Sequence, residues 1–144
     1  MPIKDDVIVG VGTKIWNPET SNIYGCQIGQ NCNIGSLVEI RKDVIIGNGC
    51  KIQAFVFMPE GVRIGDNVFI GPHVCFTNDK HPRAVGYWQQ LNTVVEDGAS
   101  IGAGAIICPG IRIGKNAMIG AGAVVTKDVP ENEMWCGNPA RSMK

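Results

Sequence analysis

Residues 28–76 read IGQNCNIGSLVEIRKDVIIGNGCKIQAFVFMPEGVRIGDNVFIGPHVCF. Stepping by six from Ile28 gives Ile34, Ile40, Ile46, Ile52, Met58, Ile64, Ile70 and Phe76, every one apolar. The series resumes at Val95 and runs through Ile101, Ile107, Ile113, Ile119 and Val125. Neither a helix nor a coiled coil repeats at six. The residue two before each anchor is also small or apolar: Cys26, Cys32, Val38, Val44, Cys50, Val56, Val62, Val68 and Val74, then Ala99, Ala105, Ile111, Ala117 and Ala123. Two inward residues flanking one outward residue define a short strand, so the rest of each hexad must turn.

The turn is legible three residues past the anchor. Asn31, Asp43, Gly49, Gly61, Asn67, Gly104, Gly110, Asn116, Gly122 and Asp128 occupy that position. These residue types tolerate a left-handed backbone. The exceptions, Leu37, Phe55 and His73, recur every 18 residues, and so do the related hexads IGQNCN, IGNGCK and IGDNVF. One coil therefore holds three hexads, and equivalent residues stack on successive coils about 4.8 Å apart. MPEGVRIGDN (58–67) and ICPGIRIGKN (107–116) match across the break, so the same side resumes with a register slip of one residue. The expected architecture is an all-β, three-sided parallel β-helix with 18 residues per coil. It forms a single domain over residues 1–144, with a protruding loop at 77–94 and a C-terminal strap at 126–144.

Composition narrows the function classes. Lys+Arg and Asp+Glu are both 13, which gives no basic footprint for a nucleic acid. No apolar run reaches the roughly 20 residues of a membrane span. MPIKDDVIVG lacks the layout of a signal peptide, so a cytoplasmic location is the default expectation. Of the 6 cysteines, Cys26, Cys32 and Cys50 fall at inward positions, and no pair has CxxC metal spacing. They read as small core residues with free thiols. No metal site is expected.

Two segments leave the repeat. The loop TNDKHPRAVGYWQQLNTV concentrates Asn78, Asp79, Lys80, His81, Arg83, Tyr87 and Trp88. A solenoid needs no such excursion, and loops on rigid scaffolds often carry function. The tail TKDVPENEMWCGNPARSMK has no helical period, and Trp135, Pro139 and Arg141 suggest a strap on the solenoid surface. The corner that carries Leu37, Phe55 and His73 continues past the break as Ala103–Gly104 and Ala121–Gly122, from IGAGAI and IGAGAV. That corner is nearly bare of side chains, so a ligand can approach its backbone N–H groups closely. No Ser-His-Asp spacing or nucleotide-binding glycine loop is evident.

The Ile-Gly hexads resemble the hexapeptide acyltransferases over nearly the whole chain. The segments KIQ (51–53), FTNDKHPRA (76–84) and GNPAR (137–141) are most similar to bacterial N-acetyltransferases of nucleotide-linked 3-amino sugars. The resemblance implies a left-handed coil, a homotrimer and acetyl-CoA as co-substrate. It implies acetyl transfer to the amino group of a nucleotide-linked sugar, in the synthesis of cell-surface polysaccharide or glycan precursors. The coenzyme is then expected along Ala103, Gly104, Ala121 and Gly122, with Lys127 and Arg141 toward its phosphates and Pro139 in the closing strap. Asn78, Asp79 and His81 are expected to line the acceptor site, Asn78 positioning the amine.

The alternative is a sugar O-acetyltransferase with His81 as base, because FTNDKHP is similar in layout to the segment that carries the basic histidine of those enzymes. His73, on the coenzyme-side corner, is the other imidazole to weigh. A zinc hydratase on this fold takes three histidine ligands, and the chain has 2. A non-catalytic scaffold leaves the loop and the tail unexplained. The third side shows outward residues Glu39, Phe57, Cys75, Ile106 and Val124, whose apolar stripe is expected to pack between subunits.

Overall fold

The computed structural model describes residues 3–143. Met1 and Pro2 of the N-terminal stretch and Lys144 of the strap lie outside the described residues. Each hexad contributes a two-residue strand, an outward residue followed by its buried anchor. The strands stack into three parallel sheets. The first side holds Ile8–Val9, Gln27–Ile28, Ile45–Ile46, Arg63–Ile64, Val94–Val95 and Arg112–Ile113. The second holds Lys14–Ile15, Asn33–Ile34, Lys51–Ile52, Phe69–Ile70, Ser100–Ile101 and Met118–Ile119, then Met134–Gly137 and Ala140–Ser142. The third holds Asn22–Ile23, Glu39–Ile40, Phe57–Met58, Cys75–Phe76, Ile106–Ile107 and Val124–Val125.

Both inward classes predicted from the hexads are buried, and together they form one continuous core. Cys26, Cys32 and Cys50 lie in it as free thiols. Burial pushes Cys26 up to about 12 and Cys50 up to about 11, which leaves them protonated and unreactive at neutral pH. The expected turn residues adopt positive φ, including Asn31 at 57° and Asn67 at 56°, except Asp128, where the chain leaves the repeat and the carboxylate accepts from the Arg112 N–H instead.

The solenoid begins earlier than the run of hexads from Ile28 indicates. Ile8–Val9, Lys14–Ile15 and Asn22–Ile23 pair in register with the coil above. The 3₁₀ turn Pro18–Thr20 sits between the second and third of these strands and breaks the step of six. Across the 77–94 loop the ladder pairs Arg63 with Val94 and Ile64 with Val95. The bond from a backbone N–H to an aspartate Oδ1 that joins Asn48 and Asp66, 18 apart, recurs between Asp66 and Asp97, 31 apart, in keeping with the predicted slip.

The tail is more regular than a surface strap. Val129 bridges to Ile113, Met134 and Trp135 pair with Met118 and Ile119, and the chain then folds back as a hairpin with Cys136 opposite Arg141. It adds a last partial coil over an otherwise open sheet end.

The inward position before Val95 is Thr93, fully buried, and its hydroxyl has no partner among the described residues. A buried unsatisfied hydroxyl costs about 1–3 kcal/mol, and valine has nearly the same shape. Thr93→Val is expected to stabilise the fold by about 1 kcal/mol, seen as a higher urea midpoint at unchanged slope. A lower midpoint would show that the hydroxyl is satisfied in solution.

Candidate active site

Three edges join the three sides, and each has its own chemistry. The edge from first to second side is closed on itself. There the side-chain oxygens of Asn48, Asp66 and Asp97 accept from the backbone N–H of Gln30, Asn48 and Asp66, each at 2.8 Å. Those polar groups hold coils together and are not available to a ligand.

The edge from second to third side stacks Leu37, Phe55, His73, Gly104 and Gly122, with φ between 59° and 71°. A Cβ added at Gly104 or Gly122 would meet nothing within 4 Å, so open space faces the two upper turns. The N–H groups of this corner divide into two sets. Gly104 N–H donates to Pro72 O at 2.9 Å, and Gly122 N–H to Ala103 O at 2.8 Å. These two donors are consumed by the coil below. The amides of the exposed Ala103 and Ala121 donate to nothing among the described residues, and they are free donors at the two upper turns of the edge.

The terminal hairpin continues this edge upward. Trp135 lies over Ile119, and Cys136 Sγ lies against Gly120, so the turn Gly137–Ala140 follows the register above Ala121–Gly122. Pro139 is exposed at its tip, next to the cis peptide Asn138–Pro139. Arg141 follows on the return strand, with one guanidinium nitrogen on its own neighbour Ala140 O at 2.8 Å. Pro139 and Arg141 thus share the edge of Ala103, Gly104, Ala121 and Gly122. Lys127 does not, because it turns the corner after Val124–Val125, on the edge from third to first side.

The loop leaves that same third-to-first edge. Asn78 anchors it: its side-chain amide donates to Glu60 O at 3.2 Å, and its backbone carbonyl accepts from Leu91 N–H at 2.9 Å. Asp79 Oδ1 accepts from the backbone N–H of His81 at 3.1 Å, and Oδ2 lies 3.9 Å from Arg83. Arg83 closes the tip by donating to Tyr87 O at 2.6 Å. The Asp79 carboxylate therefore shapes the turn and does not orient the His81 imidazole. The loop encloses a cavity of about 280 Å³ between His81, Arg83, Tyr87 and Trp88. Lys80 and Lys127 face a larger groove of about 670 Å³ beside Thr126 and Asp128, and no carboxylate among the described residues forms an ion pair with either lysine.

The loop that carries Asn78, Asp79 and His81 thus leaves the same margin of the third side as Lys127, which shares a groove with Lys80, and the bare corner lies with Pro139 and Arg141 on the other margin. His73 and Asn78 lie on one coil, five residues apart, a separation of at most about 17 Å along the chain.

The repeat and the edges together define a hexapeptide-repeat solenoid of the transferase type. The chain belongs to the bacterial transferase hexapeptide family, whose six-repeat model matches residues 25–60 and 92–127, half of its length. It is 36% identical over 126 residues to the putative acetyltransferase YJL218W of Saccharomyces cerevisiae, covering 84% of this chain and 59% of that protein. The hexapeptide-repeat acetyltransferase VCA0836 of Vibrio cholerae, solved with acetyl coenzyme A, is 26% identical with a TM-score of 0.61 over 96% of this chain and 70% of that one. PerB of Caulobacter crescentus, solved with CoA and GDP-perosamine, shares the fold at 22% identity and a TM-score of 0.74, over 99% of this chain and 56% of that one. The chain spans 22% to 59% of the length of the first curated relatives it matches. No helix among the described residues is long and apolar enough to cross a membrane.

Proposed function

We propose that this protein transfers an acetyl group from acetyl-CoA to the amino group of a nucleotide-linked sugar. The observation that carries the reading is the bare edge: two Ala-Gly turns facing open space, two free amides, and a terminal hairpin continuing the same line. A pantetheine arm is narrow, carries planar amides and ends in a thioester. Bare backbone lets it approach, and the Ala103 and Ala121 amides offer donors to its carbonyls. Arg141 is placed toward the phosphates, where a guanidinium fork binds well.

The acceptor half of the site is read on the loop, with Asn78, Asp79 and His81. One chain holds the two halves on opposite margins of the third side. A closed ring of three chains packed through that side sets each loop, and Lys127 with it, beside a neighbour's bare edge. The sugar-nucleotide acceptor rests on the loop motif and on the likeness to PerB, which binds GDP-perosamine.

Purified protein incubated with acetyl-CoA and a panel of amino- and hydroxy-sugar nucleotides tests the proposal. Turnover of amino sugars supports it. Turnover of hydroxyl acceptors alone favours O-acetylation with His81 as base, and no turnover with no CoA binding sinks both readings. Gly104→Val and Gly122→Val should each raise the KM for acetyl-CoA about tenfold or more, since about 1.4 kcal/mol of lost contact is a factor of ten. Because a Cβ there meets no atom within 4 Å, the fold should persist at a left-handed cost of about 1–2 kcal/mol. Wild-type kinetics in both variants would place the coenzyme elsewhere.

A further inference from the structure

The bare edge stops at His73. Below Gly104 the same corner carries Leu37, Phe55 and His73 in left-handed turns, at φ of 59°, 65° and 63°. The first-to-second edge makes equivalent turns with Asn31, Asn67 and Asn116, so the geometry does not call for these bulkier side chains. Non-glycine residues held in this region mark places where structure serves something other than the turn.

The His73 ring lies flat on Phe55, with centroids 4.6 Å apart and planes 9° from parallel. That stack, set by the coil spacing, fixes the exposed imidazole without using its nitrogens, which bond to no described residue. One coil above are the free amide of Ala103 and the open flank of Gly104. His73 is thus the side chain that meets whatever lies at the lower end of the bare edge.

We infer that His73 is the proton acceptor of the transfer, a role that rests on the acetyl-transfer reading above. The acceptor amine attacks the thioester carbon, a C–N bond forms, and the carbonyl electron pair moves onto oxygen, beside the Ala103 amide. His73 takes the proton that the amine nitrogen must lose. The carbonyl re-forms, the C–S bond breaks with its electron pair on sulfur, and the imidazolium returns the proton to that sulfur. The products are an N-acetyl amide, coenzyme A thiol and neutral His73. The loop does not supply this group from within the same chain, because His81 hangs from the other margin of the third side. The heights agree as well: His73 and Asn78 share a coil, and rotation about an axis parallel to the solenoid keeps a neighbour's loop at that level.

The test uses the full chain, acetyl-CoA, and the acceptor found with the panel. His73→Asn keeps a residue suited to the left-handed turn, and His73→Phe keeps a ring on Phe55. Both should lower kcat about 10²–10⁴-fold, with CoA affinity by calorimetry and the unfolding midpoint unchanged. Activity retained by His73→Phe would make the ring a stacking surface, and activity retained by His73→Asn would make it a turn residue. Either outcome overturns the inference, as does loss of CoA binding in both variants. A wild-type protein that binds CoA but acetylates no acceptor instead sinks the acetyl-transfer reading, and this inference with it.

Discussion

Phe57→Glu combined with Ile106→Glu is expected to turn a trimer into monomers in sedimentation velocity and to abolish turnover. The third side presents Phe57, Cys75, Ile106 and Val124 on successive coils, each paired with the next in the ladder. Ile106 is exposed, while Phe57, Cys75 and Val124 are half-buried. Ile106 keeps 43% of its surface exposed, and Tyr87, at 86%, points into solvent. At the lower end the Arg41 guanidinium lies 5.0 Å over the Phe57 ring while bonded to Glu39 at 2.6 Å, a polar rim to the apolar stripe.

A contiguous apolar stripe on a soluble monomer is uncommon, and covering it gains about 25 cal/mol per Å². A carboxylate at 106 placed in such a contact loses hydration without a partner and costs several kcal/mol, and one at 57 removes the ring that Arg41 covers. Turnover should fall with assembly, because the bare edge and the loop lie on opposite margins of this side. A double variant that stays trimeric with unchanged stability would put the interface on another face. A wild-type protein that sediments as a monomer would remove it altogether.

The second large effect concerns stability. Gly47→Ala should cost about 3 kcal/mol, at the upper end of what overpacking does, whereas Gly104→Ala should cost about 1 kcal/mol from its left-handed backbone. A Cβ at Gly47 would stand 2.6 Å from Gly65 O and 2.7 Å from Gly65 C, inside any real contact. Those atoms belong to the backbone of the next coil, and that coil cannot shift. Gly47 N–H donates to Ile64 O, and Gly65 N–H to Val95 O, both at 2.8 Å. The coil spacing thus leaves no room for a Cβ at Gly47, although other coils hold Gln53 and Glu96 at the equivalent position after the anchor. Urea midpoints of the two variants give the comparison directly, and equal losses would mean that the coils can part to admit a methyl group.

The sequence by itself determined the repeat, the three sides, the inward residues and most of the corners. It could do so because each follows from local chemistry repeated at a fixed step: an apolar anchor, a small inward partner and a turn residue that accepts positive φ. Where the step fails, legibility fails with it. Pro18 and its 3₁₀ turn hid the first coil, and the tail's return as a paired hairpin left no period to read.

The tertiary structure alone decided which groups are left over. Whether an edge amide is free depends on the coil beneath, so Gly104 and Gly122 are spent while Ala103 and Ala121 are not. Which edge a residue occupies separated Lys127 from Arg141, close as they are in sequence. The flat stack of His73 on Phe55 also belongs to this level, since spacing puts two rings on neighbouring coils but only packing sets them parallel. Periodicity fixes where a side chain points, and the backbone of the next coil fixes what remains available to a ligand.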